Sequence, residues 1–248
     1  HGLLGCLSVG VTLPIGVFMS MDGLFAERPV RDVPRTALTV FAHPDDAEIS
    51  CFGLLSKLRR EGWRIVMVIA TRGENGADVT SWDRLTEARR AAESIGAELV
   101  YGDFSDGHVQ VTGDLIHWVE GLLQTWRPDI VLTHFTGESR TSHQDHVSVE
   151  AAVQIAVRRA TWRPMLLLAE GIDHDITFRP NWFVDITQDY ETKVGAIGMH
   201  QSQSNKYYMK REHVDVRARR WDINFPRPAD SEYAPRYWEA FFLVQHVM

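Results

Sequence analysis

His43, Asp45 and Asp46 fall within four residues of one another in Phe41-Ala42-His43-Pro44-Asp45-Asp46. Far along the chain, Ser142-His143-Gln144-Asp145-His146 repeats that density of imidazole and carboxylate. Such groups hold divalent metals and exchange protons. His43, Asp46 and His146 make the His/carboxylate trio that catalytic zinc takes while keeping one position for water; another divalent transition metal suits the same donors. The only cysteines are Cys6 and Cys51, which is too few for a cysteine zinc ribbon or a disulfide framework. Cys51 reads as a small buried hydrophobe within a helix. Asp45 is left over. Adjacent side chains at a helix start diverge, so Asp45 is placed as a general base toward water whose pKa a metal brings to about 7. His143 precedes His146 by three residues and shares its side once a helix has begun. It can stabilise an oxyanion or protonate a leaving amine. Each motif alone also has a plainer reading, in which Asp45, Asp46 or His143 caps a helix.

The two motifs follow apolar runs. Thr36–Phe41, Arg64–Thr71, Glu98–Tyr101, Asp129–His134 and Met165–Ala169 read as strands. Helices are expected from about Ile49 to Arg60, Ser81 to Ile95, Asp114 to Trp126 and Gln144 to Ala160. This alternation predicts an α/β fold: a Rossmann-like, mostly parallel sheet with helices on both faces. Phe183–Ile186 and Tyr237–Val247 as strands, with helices over Tyr190–Met199 and Asn205–Arg220, form a C-terminal elaboration. A doubly wound order of 3-2-1-4-5 makes strands one and four neighbours where the winding reverses. Both motifs then open onto one crevice.

Arg72, Glu74, Arg84 and Asp106 end strands two and three or begin the helix between them, and are expected at the crevice edge as substrate contacts. Salt bridges or caps are the plainer roles for these four. His200 is placed at the site rim or at a satisfied helix end. Trp82 offers a ring for a sugar or for packing. Gly73 and Gly76 form neither a dinucleotide fingerprint nor a P-loop. Lys206, Lys210, Arg211, Arg217, Arg219 and Arg220 read as a solvated basic face.

The 248 residues, 44% hydrophobic and 24% charged, suit one large domain or two small ones. No long linker divides the chain, so residues 35–248 are taken as one domain and 1–34 as an N-terminal extension. Gly2–Met21 is uncharged and long enough to span a membrane, but glycines and Pro14 interrupt it and it lacks a positive leader. It is expected to pack loosely or cap the sheet. A net charge of −7 argues against a nucleic-acid partner. The expected setting is cytoplasmic, with no membrane partner and with self-association compatible.

These motifs resemble the PIG-L/LmbE family of zinc-dependent N-deacetylases. The family's Ala-His-Pro-Asp-Asp stands as Ala42–Asp46 and its His-x-x-His as His143–His146. Thr71-Arg72-Gly73-Glu74, Arg84 with Glu87, and His200-Gln201-Ser202-Gln203 are supporting matches. The resemblance runs from about Ala37 to the C-terminus. It implies a Rossmann-like sheet and removal of an acyl group, usually acetyl, from an amino sugar or its glycoconjugate. It also implies zinc on His43, Asp46 and His146, Asp45 as base and His143 as oxyanion stabiliser. One departure is Ala47, where many members carry an acid; here Glu48 follows one step later. A zinc amidase on a non-sugar amide, such as a thiol conjugate, and a non-catalytic sugar- or nucleotide-binding module are the competing expectations.

Overall fold

β1 (Thr36–Phe41), β2 (Arg64–Thr71) and β4 (Ile130–Phe135) are nearly unbroken apolar and β-branched runs. Such runs suit strands covered on both faces. Apart from Arg64 and Phe135, every residue in them is buried. The computed structural model describes residues 33–76, 83–137, 142–172, 177–227 and 234–245. In it the three strands run parallel, with β1 in the middle. Thr36 lies opposite Arg64 on one side, and Ala37 lies opposite Ile130 on the other. β3 (Glu98–Phe104) pairs beyond β2 and β5 (Met165–Glu170) beyond β4, both parallel. The sheet order is β3-β2-β1-β4-β5-β7-β6. Its first five strands follow the expected doubly wound order. β3 runs past Tyr101 to Phe104.

Helices cover both faces. α1 (Asp46–Arg60), α2 (Arg84–Ser94), α3 (Gly113–Trp126) and α4 (Gln144–Arg159) follow β1, β2, β3 and β4 in turn. Leu115 and Val119 of α3 and Val149 and Val153 of α4 share a core with Leu38, Val40, Val66 and Val68. α1 packs against β1, β2 and α5 (Tyr190–Gly198) on the opposite face. Asp83 caps α2 through the amides of Leu85 and Thr86, and Thr112 caps α3 through that of Leu115. Each cap satisfies backbone donors that the first helical turn leaves open.

The elaboration adds β6 (Trp182–Asp185) and β7 (Trp238–Gln245), with β7 antiparallel to both β5 and β6. The continuous helix expected over Asn205–Arg220 is instead three pieces. A 3₁₀ turn at Tyr207–Met209 precedes an extended Lys210, and α6 (Arg211–Arg219) leads into a 3₁₀ turn at Arg220–Asn224. Burying Met209 while Tyr208 lines a cleft outweighs the modest helix preference of paired tyrosines. The basic stretch is also more than a solvated face. Arg217 donates to the carbonyls of Glu170 and Gly171, and Lys206 lines the same cleft as Tyr208.

The expected N-terminal extension, except Val33 and Pro34, lies outside the described residues, as do Cys6 and Trp82. Among the described residues no helix is long and apolar enough to cross a membrane.

Candidate metal centre and active site

The chain leaves β1 into His43–Asp46 and leaves β4 toward His143–His146. Because β1 and β4 are neighbours and parallel, both segments emerge at the same sheet edge, where the winding reverses. A cleft of about 420 Å³ opens there. His43, Asp45, Asp46, Arg84, Asp106, His143 and His146 line it.

The expected ligand trio is brought together. His43 Nδ1 lies 3.1 Å from His146 Nε2 and 3.5 Å from Asp46 Oδ2, and His146 Nε2 lies 3.4 Å from Asp46 Oδ1. Donor atoms around a tetrahedral zinc ion are about 3.3 Å apart, given metal–ligand bonds near 2.0–2.1 Å. Nitrogen and oxygen donors at this spacing fit zinc, with His43, Asp46 and His146 as the residues that would hold it. The other nitrogen of His43 faces carboxylates: Nε2 is 3.0 Å from Asp106 Oδ1 and 3.2 Å from Asp145 Oδ2. A metal-ligating histidine typically donates its second ring N–H to such a group. Nδ1 is therefore the atom that would face a metal.

Three other donor groupings overlap this one, and the first, His43 with His143 and His146, exchanges Asp46 for His143. Asp46, His134 and His146 also converge, but His134 Nε2 already accepts the Ala42 amide at 2.9 Å. Its lone pair is committed, and its ring stacks on His146 at 4.0 Å between centroids. His134 thus orients a ligand. The grouping of His43, Asp106, His143 and Asp145 lies on the Nε2 side of His43, and its carboxylates, like Asp46 Oδ2 with the His43 amide at 2.7 Å, also accept from backbone. Asp145 accepts from the amides of Gly107 and Val109, and Asp106 from that of Asn75.

Charge follows this geometry. Burial disfavours a protonated His43, but hydrogen bonds to Asp106, Asp145 and Asp46 outweigh it and push its pKa up to about 12. Cation and proton then compete for Nδ1. Burial works to raise the Asp46 carboxyl, yet the neighbouring His146 and His134 hold it well below the usual range. Burial pushes the Asp45 carboxyl upward, Arg84 opposes this, and Asp46 adds to it. One of the two adjacent carboxyls is therefore ionised and the other is suited to exchanging a proton.

Asp45 occupies the position before α1, where aspartate usually caps, but its side chain makes no cap hydrogen bond. Its φ is 108°, a backbone region costly for any residue with a Cβ and typical of functional sites. Arg84 explains the turn. Its Nη2 lies 3.2 Å from Asp45 Oδ2 and donates to the Pro44 carbonyl, while Nη1 donates to the Gly73 carbonyl. Gly73 has φ +66°, and a Cβ there would stand 2.4 Å from Arg84 Nη1. His143 does cap α4, with Nδ1 accepting the Asp145 amide at 3.2 Å. Its proton is thereby assigned to Nε2. Burial, with His43 and His146 nearby, lowers its pKa, so the ring is a neutral donor.

The substrate-contact expectations need correction. Arg72 is exposed and pairs with Asp103 at 2.8 Å, outside the cleft. Glu74 accepts the Asp106 amide and braces that loop. His200 is 1% exposed and lies behind the site, 3.2 Å from the equally buried Glu48 but without hydrogen-bond alignment. Arg84 and Asp106 do line the cleft, but their polar atoms hold the Pro44–Asp45 turn and His43. The spacing pattern located these loops, but the direction of each side chain depends on backbone geometry that spacing does not encode. Sequence reasoning missed His134, Asp145, Gln203, Lys206 and Tyr208. His134 was accessible, since it sits at the C-terminal end of the strand beside β1.

The arrangement defines a doubly wound α/β protein with an imidazole–carboxylate cluster at its switch point. Residues 38–157 match the PIG-L family model, described as GlcNAc-PI de-N-acetylase. The chain is 31% identical over 171 residues to the uncharacterized deacetylase YaiS of Escherichia coli K12, covering 66% of this chain and 90% of that protein. It is 29% identical over 196 residues to diacetylchitobiose deacetylase of Thermococcus kodakarensis, covering 71% and 72%. The 4-carboxy-2-hydroxymuconate hydratase of Pseudomonas putida shares the fold, with a TM-score of 0.71 at 21% identity, covering 86% and 98%. The chain belongs to the PIG-L family.

Proposed function

We propose that the chain is a zinc-dependent N-deacetylase that removes an acyl group, in the first instance acetyl, from the amine of an N-acetyl amino sugar or its glycoconjugate. The observation that carries this reading is Asp45. It is buried, strained and uncapped, and it lines the same cleft as three donor atoms at metal-ligand spacing. A helix cap would commit its side chain to backbone amides, whereas here one oxygen meets Arg84 and neither caps the helix. The names of the two deacetylase relatives support the reaction class, and diacetylchitobiose supports an amino-sugar substrate.

Zinc, when bound, supplies a Lewis acid for the amide carbonyl and water of lowered pKa. Asp45 takes the proton from the attacking water and passes it to the departing nitrogen, so water and amide become acetate and amine. His143 donates from Nε2 to the developing oxyanion. Asp106 and Asp145 hold His43 with Nδ1 inward. Arg84 keeps Asp45 aimed along the cleft. Gln203, Lys206 and Tyr208 line the same cleft and are the side chains offered to the sugar.

A hydratase shares this fold, so the identity of the product is the test. The zinc-loaded and chelated chain is incubated with N,N′-diacetylchitobiose and an N-acetylglucosamine conjugate, and acetate and free amine are measured. Equimolar release that disappears with chelator is the expected result. A zinc-loaded chain that frees amine from a thiol-conjugate amide and from no sugar is an amidase of the second kind. One that frees none refutes the hydrolase reading.

A further inference from the structure

The helix that carries Asp46 is gripped from outside by a buried ion pair. Lys193 on α5 and Glu239 on β7 are 5% and 4% exposed, with Nζ 2.6 Å from Oε1. Neither side chain reaches the cleft. Both reach the backbone of α1. Lys193 Nζ donates to the Ile49 carbonyl at 2.8 Å. Glu239 accepts the Gly53 amide at 2.9 Å on Oε1 and the Leu54 amide at 2.7 Å on Oε2.

In an α-helix the carbonyl of residue 49 and the amide of residue 53 are the two ends of one rung. Here both ends have a side-chain partner, and those partners bind each other. Carbonyl, ammonium, carboxylate and amide form a closed ring beside the rung. Side chains inserted at a helical ladder set its local direction. Ile49 is also the residue whose amide donates to the Asp45 carbonyl at 3.0 Å. The Ile49 residue therefore links Lys193 directly to the strained residue that starts the helix. Gly53 packs closely on Ile186, where a Cβ would stand 2.6 Å from Ile186 Cδ1.

A buried ion pair is seldom justified by stability alone, because desolvation offsets most of its attraction. The α1 N-terminus has no side-chain cap to fix it. We propose that Lys193 and Glu239 are positioning residues that set the orientation of the first turn of α1, and so hold Asp46 at metal-binding distance from His43 and His146. This rests on the metal reading above. It makes the C-terminal elaboration part of the metal site, although that region contributes no ligand.

The test is metal affinity, measured by chelator competition with zinc, with cobalt absorption as a report on ligand geometry. Lys193→Met is expected to weaken zinc binding at least tenfold and to alter the cobalt spectrum. Lys193→Met/Glu239→Gln removes both charges together and leaves no lone buried ion; it is expected to show the same loss and keeps the test open if the single variant does not fold. Leu115→Ala destabilises the opposite face and is expected to leave zinc affinity within twofold of the parent. Parent-like affinity in folded double variant, or an equal loss in Leu115→Ala, overturns the proposal. A parent that takes up no divalent metal overturns the metal reading and this inference together. A parent that binds zinc but deacetylates no sugar overturns only the substrate reading.

Discussion

The two loops that build the cleft start their helices in opposite ways. At the start of α4, His143 has an ordinary φ of −60° and its imidazole caps the helix. At the start of α1, Asp45 sits at φ 108° with no side-chain cap. At the start of α4 one ring nitrogen of His143 serves the backbone, and Asp145 ties the first turn to the amides of Gly107 and Val109. At the start of α1 the carboxylate caps nothing and meets Arg84 from α2, while Lys193 and Glu239, further along the chain, bond the helix backbone. One helix start is thus capped by its own side chain, whereas the other relies on residues distant in sequence.

The sharpest way to break this contrast is at its extremes. Asp45→Asn keeps the shape and removes the base. Turnover is expected to fall by about 10²–10⁴-fold, the usual size of a general-base contribution, with zinc content unchanged by metal analysis; undiminished turnover removes Asp45 from the mechanism. The second loop carries two duties that can be separated. His143→Ala is expected to cost about 10²–10³-fold in kcat, as for an oxyanion donor, and about 0.5–2 kcal/mol of stability from the lost cap. His143→Asn, a good cap, is expected to restore the thermal midpoint but not kcat. If both properties return together, the ring has no chemical role.

A smaller effect tests the support of His43. Asp145→Asn is expected to weaken zinc binding by about 10–100-fold, the range for groups that orient a metal ligand, as read by chelator competition. Gly73→Ala acts on stability rather than on turnover. The new methyl displaces Arg84, so the first loop loses its clamp; unfolding free energy is expected to drop by about 1–3 kcal/mol, the scale of a backbone held in an unfavourable region. Denaturant melts check it, and a neutral result would mean that Arg84 relaxes freely.

Much of this was readable from residue order. Apolar runs of the right length alternate with helical stripes, so the parallel sheet follows from the need to bury both faces of each strand. The topology then places His43, Asp46 and His146 together without any knowledge of side-chain directions. The substrate contacts were less legible. Arg72 and Arg84 both looked like crevice cations, yet Arg72 turns outward to Asp103 while Arg84 is clamped by two carbonyls. Whether an arginine faces solvent or a turn depends on the path of the loop around it.

Local chemistry therefore settled the strands and the winding and singled out His43, Asp46 and His146 as candidate metal ligands, because hydrophobic period and ligand type are properties of short stretches. Folding in three dimensions settled which nitrogen of His43 faces the carboxylates, that His134 stacks on His146, and that Asp45 remains uncapped. It also brought Lys193 and Glu239 to α1. These outcomes depend on angstrom-scale distances between segments far apart along the chain, and no pattern within one segment carries that information.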